Sequence, residues 1–442
     1  MSGTPPNHDH RRGHNGRVSH LPIDASRRPL PVTASDVDAA AARLAGVITE
    51  TPLQYNERLS AATGAEVWLK REDLQPVRSY KIRGAYNFIA QLSEEERAAG
   101  VIAASAGNHG QGVAMACAEL GIKGRIYVPS TTPRQKRDRM LTLGGAFVEL
   151  IVVGDSYDEA SAVAKQAAEE TGAVMVAAFD DARTIAGQGT VAKEVVEQLG
   201  REPDRMVVPV GGGGLLAGCL VWLKTFSPRT TVVAVEPSGA ACIAAALDAG
   251  GPTTLKRIDT FVDGAAVRRA GDLTYAIAAQ LAPQMVSVPE GAICSEMLAL
   301  YQTEGVIAEP AGALASASLR QAKPNPGEVV VVVISGGNND VSRYAEIVER
   351  SLVYEGRKHY FLVNFPQEPG ALRRFLDEVL GPDDDITHFE YVKRSNREMG
   401  PALVGIELGD PTTLGDLLGR LERSPIRAEP VDPDSPFYRF LV

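Results

Sequence analysis

The sequence predicts a large α/β body on twisted, mainly parallel sheets, followed by a smaller α+β module, and three observations carry that prediction. Short apolar strands alternate with helical stretches from about residue 35 to 350, the strand–crossover–strand pattern that sets parallel strands side by side. Several strands, above all Glu328 to Ile334, are near-continuous Val and Ile runs, as expected when helices cover both faces of a sheet. Near residue 350 the character changes, and the order beyond is βαββαβ, the ferredoxin-like arrangement.

Residues 1–34 are polar and rich in Arg and Pro, without hydrophobic periodicity, and read as a disordered arm. Its histidines include His8 and His10, but two imidazoles on such a segment lack the further ligands of a metal site, so no metal is expected. The Arg content admits an organelle transit peptide as a minor alternative. The next stretch, SDVDAAAARLAGVI, reads as a helix capped by Ser35 or Asp36, with Val37, Ala40, Ala41 and Leu44 on one face. Strands follow at Glu66–Lys70, Gly100–Ala104, Gly124–Val128, Met206–Val210, Thr231–Val235 and Glu328–Ile334, with helices such as Gln111–Leu120 and Tyr157–Thr171 between them. This body, 35–350, is expected to form two subdomains, with the site at the carboxyl ends of the strands.

In the module, 356–442, strands are expected at His359–Asn364, Asp385–Val392, Ala402–Leu408 and Arg427–Val431. Two amphipathic helices lie among them, one with Leu372, Phe375, Leu376, Val379 and Leu380 as its stripe, the other with Leu414, Leu417, Leu418 and Leu421. A module of this size after a complete α/β body is expected to regulate or assemble.

Forty-five Lys and Arg against 55 Asp and Glu give a net charge of −10, which argues against nucleic-acid and membrane partners. Apolar residues at 44% and charged residues at 23% are those of a globular chain. The four cysteines form no C-x-x-C pair, and no apolar run reaches membrane-spanning length, so a cytoplasmic location is expected.

Four loops carry candidate chemistry. In RSYKIRGAY, Lys81 stands among small and aromatic residues between Arg78 and Arg83, a setting that could desolvate an amine and lower its pKa; the bland alternative is a solvated charge. In SAGNHGQG, Ser105, Ala106, Gly107 and Asn108 open a helix after a strand, where backbone N–H groups could hold a carboxylate and Asn108 could offer an amide to a ring oxygen. His109 in the same loop is expected to pack or cap. In VGGGGLLAG, Gly211, Gly212, Gly213, Gly214 and Leu215 join a strand to a helix and suit a small phosphate better than a dinucleotide, since neither G-x-G-x-x-G nor a Walker A loop is present. In ISGGN, Ser335 follows a central strand and could hydrogen-bond a ring nitrogen or cap the next helix. Glu309 to Ala313 open a short helix of uncertain role. An amine, a carboxylate seat, a phosphate cradle and a partner for a heteroaromatic nitrogen together match pyridoxal phosphate acting on an amino acid.

The segments SYKIRGAYN, SAGNHGQG, PVGGGGLLAG, EPAGA and SGGN, in this order, resemble the fold-type II pyridoxal-phosphate enzymes, whose body is like the tryptophan synthase β chain, and most closely the biosynthetic threonine dehydratases. The resemblance runs from about residue 35 to the end, and the part after 355, with FPQEPGAL at its start, is similar to that family's ACT-like regulatory domain. Tyr80 stands where the family often has Phe. The resemblance implies that Lys81 is the cofactor-linked lysine and the base at Cα. It further implies that Asn108 contacts the phenolic oxygen, that Gly211 to Leu215 bind the phosphate, that Ser335 faces the pyridine nitrogen and that Ser105 to Asn108 hold the substrate carboxylate. The implied reaction is conversion of L-threonine to 2-oxobutanoate and ammonia, the first step of isoleucine synthesis, inhibited by isoleucine, or by valine, in a dimer or tetramer. Three enzymatic alternatives are a catabolic threonine/serine dehydratase, a β-replacement enzyme and a serine racemase, the last disfavoured because Ala106 stands where racemases usually carry a second hydroxyl. A non-catalytic amino-acid sensor would not need the full set of cofactor-binding residues.

Overall fold

The computed structural model describes residues 29–391, 398–432 and 435. Its largest sheet has six strands in the order Leu53–Tyr55, Glu66–Arg71, Val329–Ile334, Arg205–Pro209, Thr231–Pro237 and Gln284–Val288, parallel except for the first pair. Alternate side chains of the central strands serve opposite cores. Val331, Val333, Met206 and Val208 pack beneath the helices Ala34–Leu44, Ala182–Leu199 and Gly214–Phe226, while Val330, Val332, Ile334 and Val207 pack with Glu290–Glu304 and Pro310–Ala317. Two buried faces are why the Val329–Ile334 run is uninterrupted.

A second, wholly parallel sheet orders Val148–Val152, Gly124–Val128, Val101–Ala104 and Val174–Met175. Ile82, Val113 and Met140 share the core on one of its faces, and Ala164 of the Tyr157–Thr171 helix belongs to the core on the other. The C-terminal module is the expected βαββαβ unit, with an antiparallel sheet ordered Asp385–Tyr391, Met399–Glu407, Lys358–Pro366 and Arg427–Pro430. Phe361, Val363, Val404 and Ile406 meet Phe375, Val379, Leu417 and Leu421 of its two helices.

Several expectations are corrected. The polar arm stops short of residue 34, because Val32 is fully buried and Thr33, not Ser35 or Asp36, caps the first helix: its hydroxyl accepts from the Asp36 amide while the Asp36 carboxylate accepts from the Thr33 amide. Residues 1–28, including His8 and His10, and the strand end at Val392 lie outside the described residues. Gly100 is a helix C-cap at φ 80° and not a strand residue. Of the stripe on the first module helix only Phe375 and Val379 are buried, whereas Leu372 and Leu376 stay about two-fifths exposed. The short strands Leu53–Tyr55, Val148–Val152, Val174–Met175 and Gln284–Val288 were not among those expected, since each supplies an edge of a sheet and carries a weak pattern.

Candidate functional site

Three of the four loops leave the carboxyl ends of strands directly. Ser105 follows Val101–Ala104, the glycine run follows Arg205–Pro209, and Ser335 follows Val329–Ile334. Lys81 opens the helix Lys81–Ile89 after a loop in which Arg78 takes the left-handed φ of 57°, costly for a residue with a Cβ. The loop is fastened to the SGGN segment, because the Tyr80 amide donates to the Ser335 carbonyl at 3.1 Å and the Gly337 amide to the Arg78 carbonyl at 2.9 Å.

Arg83, two residues into that helix from Lys81, turns away from the amine. Its guanidinium is fully buried, with Nε and Nη2 at 2.7 Å from the two oxygens of Glu72 and with Nη1 and Nη2 at 2.5 and 2.7 Å from those of Glu194. Lys70 Nζ adds a contact of 2.7 Å to Glu194, so two cations and two anions neutralise one another inside the body. Burial works against the Arg83 charge, but Glu72 and Glu194 hold its pKa above the ordinary value. The expected desolvation of Lys81 is present: burial pushes its pKa down to about 8, while the charge of Glu309 opposes the shift. Lys81 Nζ donates to the Ala178 carbonyl at 3.2 Å and lies 5.2 Å from the centre of the Tyr80 ring.

Asn108 is the first residue of the helix Asn108–Leu120, which begins three residues earlier than expected. Its amide is held at both ends: Nδ2 donates to Glu309 Oε1 at 2.5 Å, and Oδ1 accepts from Asn338 Nδ2 at 2.7 Å. One Nδ2 hydrogen remains for a ligand. Among the described residues the amides of Ala106, Asn108 and His109 have no protein acceptor, while the Gly107 amide bonds Ser105 Oγ at 3.3 Å, which leaves a ready seat for a carboxylate. A Cβ on Gly107 would meet nothing within 4 Å, so the loop borders open space. His109 packs, as expected; its Nε2 lies 2.8 Å from the Val176 carbonyl, and burial with nearby Lys81 lowers its pKa to about 4, leaving it neutral.

The glycine loop enters the helix Gly214–Phe226 through Gly213 at φ 91°, and among the described residues the amides from Gly211 to Leu215 have no protein acceptor. A Cβ at Gly212 would stand 2.5 Å from Phe179, and one at Gly213 2.9 Å from Ile243, so the loop has no room for side chains. Phe179 adjoins Ala178, the acceptor for Lys81, which brings this cradle beside the amine. Ser335 Oγ is buried and donates to the Ala311 carbonyl at 3.1 Å; it caps no helix.

Glu309 and Asn338 were assigned no role from sequence, although both lie in the quoted motifs EPAGA and SGGN; their signal is a polar residue at a strand or helix end beside glycines. Glu309 is buried, and burial followed by Asp263 raises its pKa to about 7 against the Asn108 bond. Ser79 Oγ and Gln188 Oε1 are buried with no protein partner among the described residues. A desolvated amine, free amides at two helix N-termini, a buried neutral hydroxyl and an oriented amide fit a phosphorylated pyridine aldehyde together with an amino acid.

Comparison with known proteins gives the same answer. A family model described as pyridoxal-phosphate dependent enzyme matches residues 44–336, and the chain belongs to that class, with pyridoxal phosphate as its cofactor. A second model, the C-terminal regulatory domain of threonine dehydratase, matches 349–441. The biosynthetic L-threonine dehydratase IlvA of Mycobacterium tuberculosis (strain H37Rv) is 62% identical over 428 residues, 96% of this chain and 100% of that one. Its counterpart in Bacillus subtilis (strain 168) is 48% identical over 397 residues, 90% of this chain and 94% of that one. Among solved structures, the processed threonine deaminase isoform 2 of Solanum lycopersicum aligns at a TM-score of 0.68 and 36% identity, over 74% of this chain and 96% of that one. Maize serine racemase aligns at 0.67 and 32%, over 73% and 99%. Within its class the chain is a lyase of the biosynthetic threonine dehydratase family.

Proposed function

We propose that this chain converts L-threonine to 2-oxobutanoate and ammonia for isoleucine synthesis, under feedback inhibition by isoleucine, or valine, bound to the C-terminal domain. The observation that carries the reaction is the convergence of Lys81, Asn108, the glycine loop and Ser335 on one site at the strand ends. The extent of the match to threonine dehydratases, regulatory domain included, favours threonine as substrate.

Pyridoxal phosphate, when bound, supplies an electron sink that acidifies the Cα–H of an attached amino acid. The amides from Gly211 to Leu215 would bind its phosphate, Asn108 would give its remaining N–H to the phenolic oxygen, and Ser335 would present a neutral hydroxyl to the pyridine nitrogen. A neutral hydroxyl at that place, instead of a carboxylate, would leave the nitrogen largely unprotonated, which would favour loss of a β-leaving group. The free amides of Ala106 and Asn108, with Ser105 and Gly107 shaping the loop, hold the substrate carboxylate. Lys81 would hold the cofactor and, as a free amine, would take the Cα proton of the substrate; a pKa of about 8 leaves part of that amine neutral near pH 8, as a base requires. Serine, lacking the β-methyl, is the poorer substrate.

The protein is proposed to be cytoplasmic and to form a dimer or tetramer; no helix among its described residues is long and apolar enough to cross a membrane. The test is 2-oxobutanoate release from L-threonine, with Lys81→Ala as the blank. Turnover is expected to vanish in the blank, and an equally active Lys81→Ala protein would refute the assignment. The likeness to maize serine racemase favours a second reading, racemisation of serine. Ala106 provides no hydroxyl for the opposite cofactor face, so D-serine is expected to stay below detection under conditions of full dehydration.

A further inference from the structure

A single buried ring, Phe261, stands between the C-terminal domain and the cofactor site. The guanidiniums of Arg343 and Arg350 lie over it, 4.6 and 4.4 Å from the ring centre. Glu346 lies between them, 2.9 Å from Arg350 Nε and 3.6 Å from Arg343 Nε. Arg343 Nη2 also donates to the Phe261 carbonyl at 2.8 Å, and Arg350 Nη1 stands 3.7 Å from Asp259. Arg350 and Glu346 belong to the helix Tyr344–Tyr354, and Arg343 immediately precedes it.

The far end of this helix is fastened to the C-terminal domain. Glu349 accepts from Tyr360 Oη at 2.8 Å and from Lys358 Nζ at 2.5 Å, both on the first strand of the module, and the Arg357 amide donates to the Leu352 carbonyl at 2.8 Å. The Phe261 segment in turn borders the site. Asp263 pairs with Lys136 at 2.9 Å and its charge helps to raise the Glu309 pKa, and Ala265 Cα stands 3.0 Å from the place a Cβ on Gly211 would occupy. One short segment thus touches both the phosphate loop and the surroundings of the carboxyl that orients Asn108.

We propose that the Arg343–Phe261–Arg350 clamp is the contact through which an amino acid bound to the C-terminal domain alters the cofactor site. A shift of the helix moves two partly exposed guanidiniums against one buried ring, and the segment carrying that ring has to follow. The alternative route through the helix, the buried Ser295–Ser351 hydroxyl pair at 2.9 Å, leads to the Glu290–Glu304 helix and not to the loops that hold the cofactor. This inference rests on the feedback reading above.

The test uses the full-length, cofactor-loaded protein and its Arg350→Met and Arg350→Lys variants. Isoleucine binding is measured by calorimetry without threonine, and the isoleucine concentration for half-inhibition is measured alongside. Arg350→Met is expected to bind isoleucine within about threefold of the parent and keep its basal turnover, while half-inhibition moves up at least about fivefold, the lower end of ordinary allosteric coupling. Arg350→Lys, which keeps the charge but not the planar stack, is expected to fall between, and it carries the test if the methionine variant does not fold. An inhibited parent whose variants are inhibited at the same isoleucine concentration overturns the clamp alone. A parent that neither binds isoleucine nor is inhibited by it overturns the feedback reading and the clamp with it.

Discussion

A largely desolvated amine beside a buried carboxyl is costly unless the two share charge well or one gives it up, and the half-buried Lys81 and the buried Glu309 stand in that relation. Lys81 is shifted down to about 8 from 10.5, and Glu309 up to about 7 from 4.5. Between pH 8 and 10.5 the unfolded chain binds more protons at Lys81 than the folded one, so stability rises with pH across that window. Between pH 4.5 and 7 the folded chain binds more protons at Glu309, so stability falls as pH rises there. Lys81→Met is therefore expected to raise the stability of the cofactor-free protein at pH 7, on the order of 1–3 kcal/mol, while abolishing turnover. Glu309→Gln is expected to flatten the decline of Tm between pH 4.5 and 7. Thermal melts across pH check both, and a Lys81→Met protein that melts below the parent at pH 7 would contradict the first. Gly213→Ala meets a different obstacle, since its φ of 91° and the neighbouring Ile243 leave no comfortable place for a methyl. A loss of roughly 1–2 kcal/mol is expected in urea titrations, with weaker cofactor retention on dialysis.

The element that carries Lys81 is held by charges, an uncommon way to anchor a helix in an interior. Arg83, Glu72, Glu194 and Lys70 form a closed set in which every charge has a partner within 2.7 Å. Removing one member strands the others, so Arg83→Met is expected to lower stability by about 3–5 kcal/mol and to loosen the cofactor, as read from the urea midpoint and from dialysis. Arg83→Lys keeps the charge but lacks the fork that serves two carboxylates, and it is expected to recover only part of that loss. The glycine-loop helix is held differently, by the apolar packing of Leu215, Leu216 and Leu220 in one core.

At the scale of the whole molecule, the helix Tyr344–Tyr354 belongs to the catalytic body even though it leads directly into the module. Ile347 is fully buried in the core beneath the six-stranded sheet, and Ser351 bonds Ser295. Truncation after Glu355 is accordingly expected to leave 2-oxobutanoate production intact and to remove its sensitivity to isoleucine. Truncation after Asp340, which also removes Ile347, is expected to leave little soluble protein. Inhibition persisting in the longer truncation would move the effector site out of the C-terminal domain.

Much of this molecule was legible in its sequence, because its signals are local. The uninterrupted Val329–Ile334 run, the alternation of strands and helices, and loops rich in small residues were enough to read the central strands of mainly parallel sheets and to collect Lys81, Asn108, Gly211 to Leu215 and Ser335 as one inventory. The βαββαβ order of the module was equally plain, since both its helices carry an apolar stripe. What only the tertiary structure decided are contacts between residues far apart in the chain. Glu309 and Asn338 orient Asn108 from 201 and 230 residues away, and Arg83 faces Glu194 across 111. Nor does any local pattern say that Arg343 and Arg350 close on Phe261, some eighty residues earlier in the chain. Backbone propensity and hydrophobic period act over a few residues, whereas the burial that shifts Lys81 and the pairing that permits a buried Arg83 exist only once the sheets have brought distant loops together.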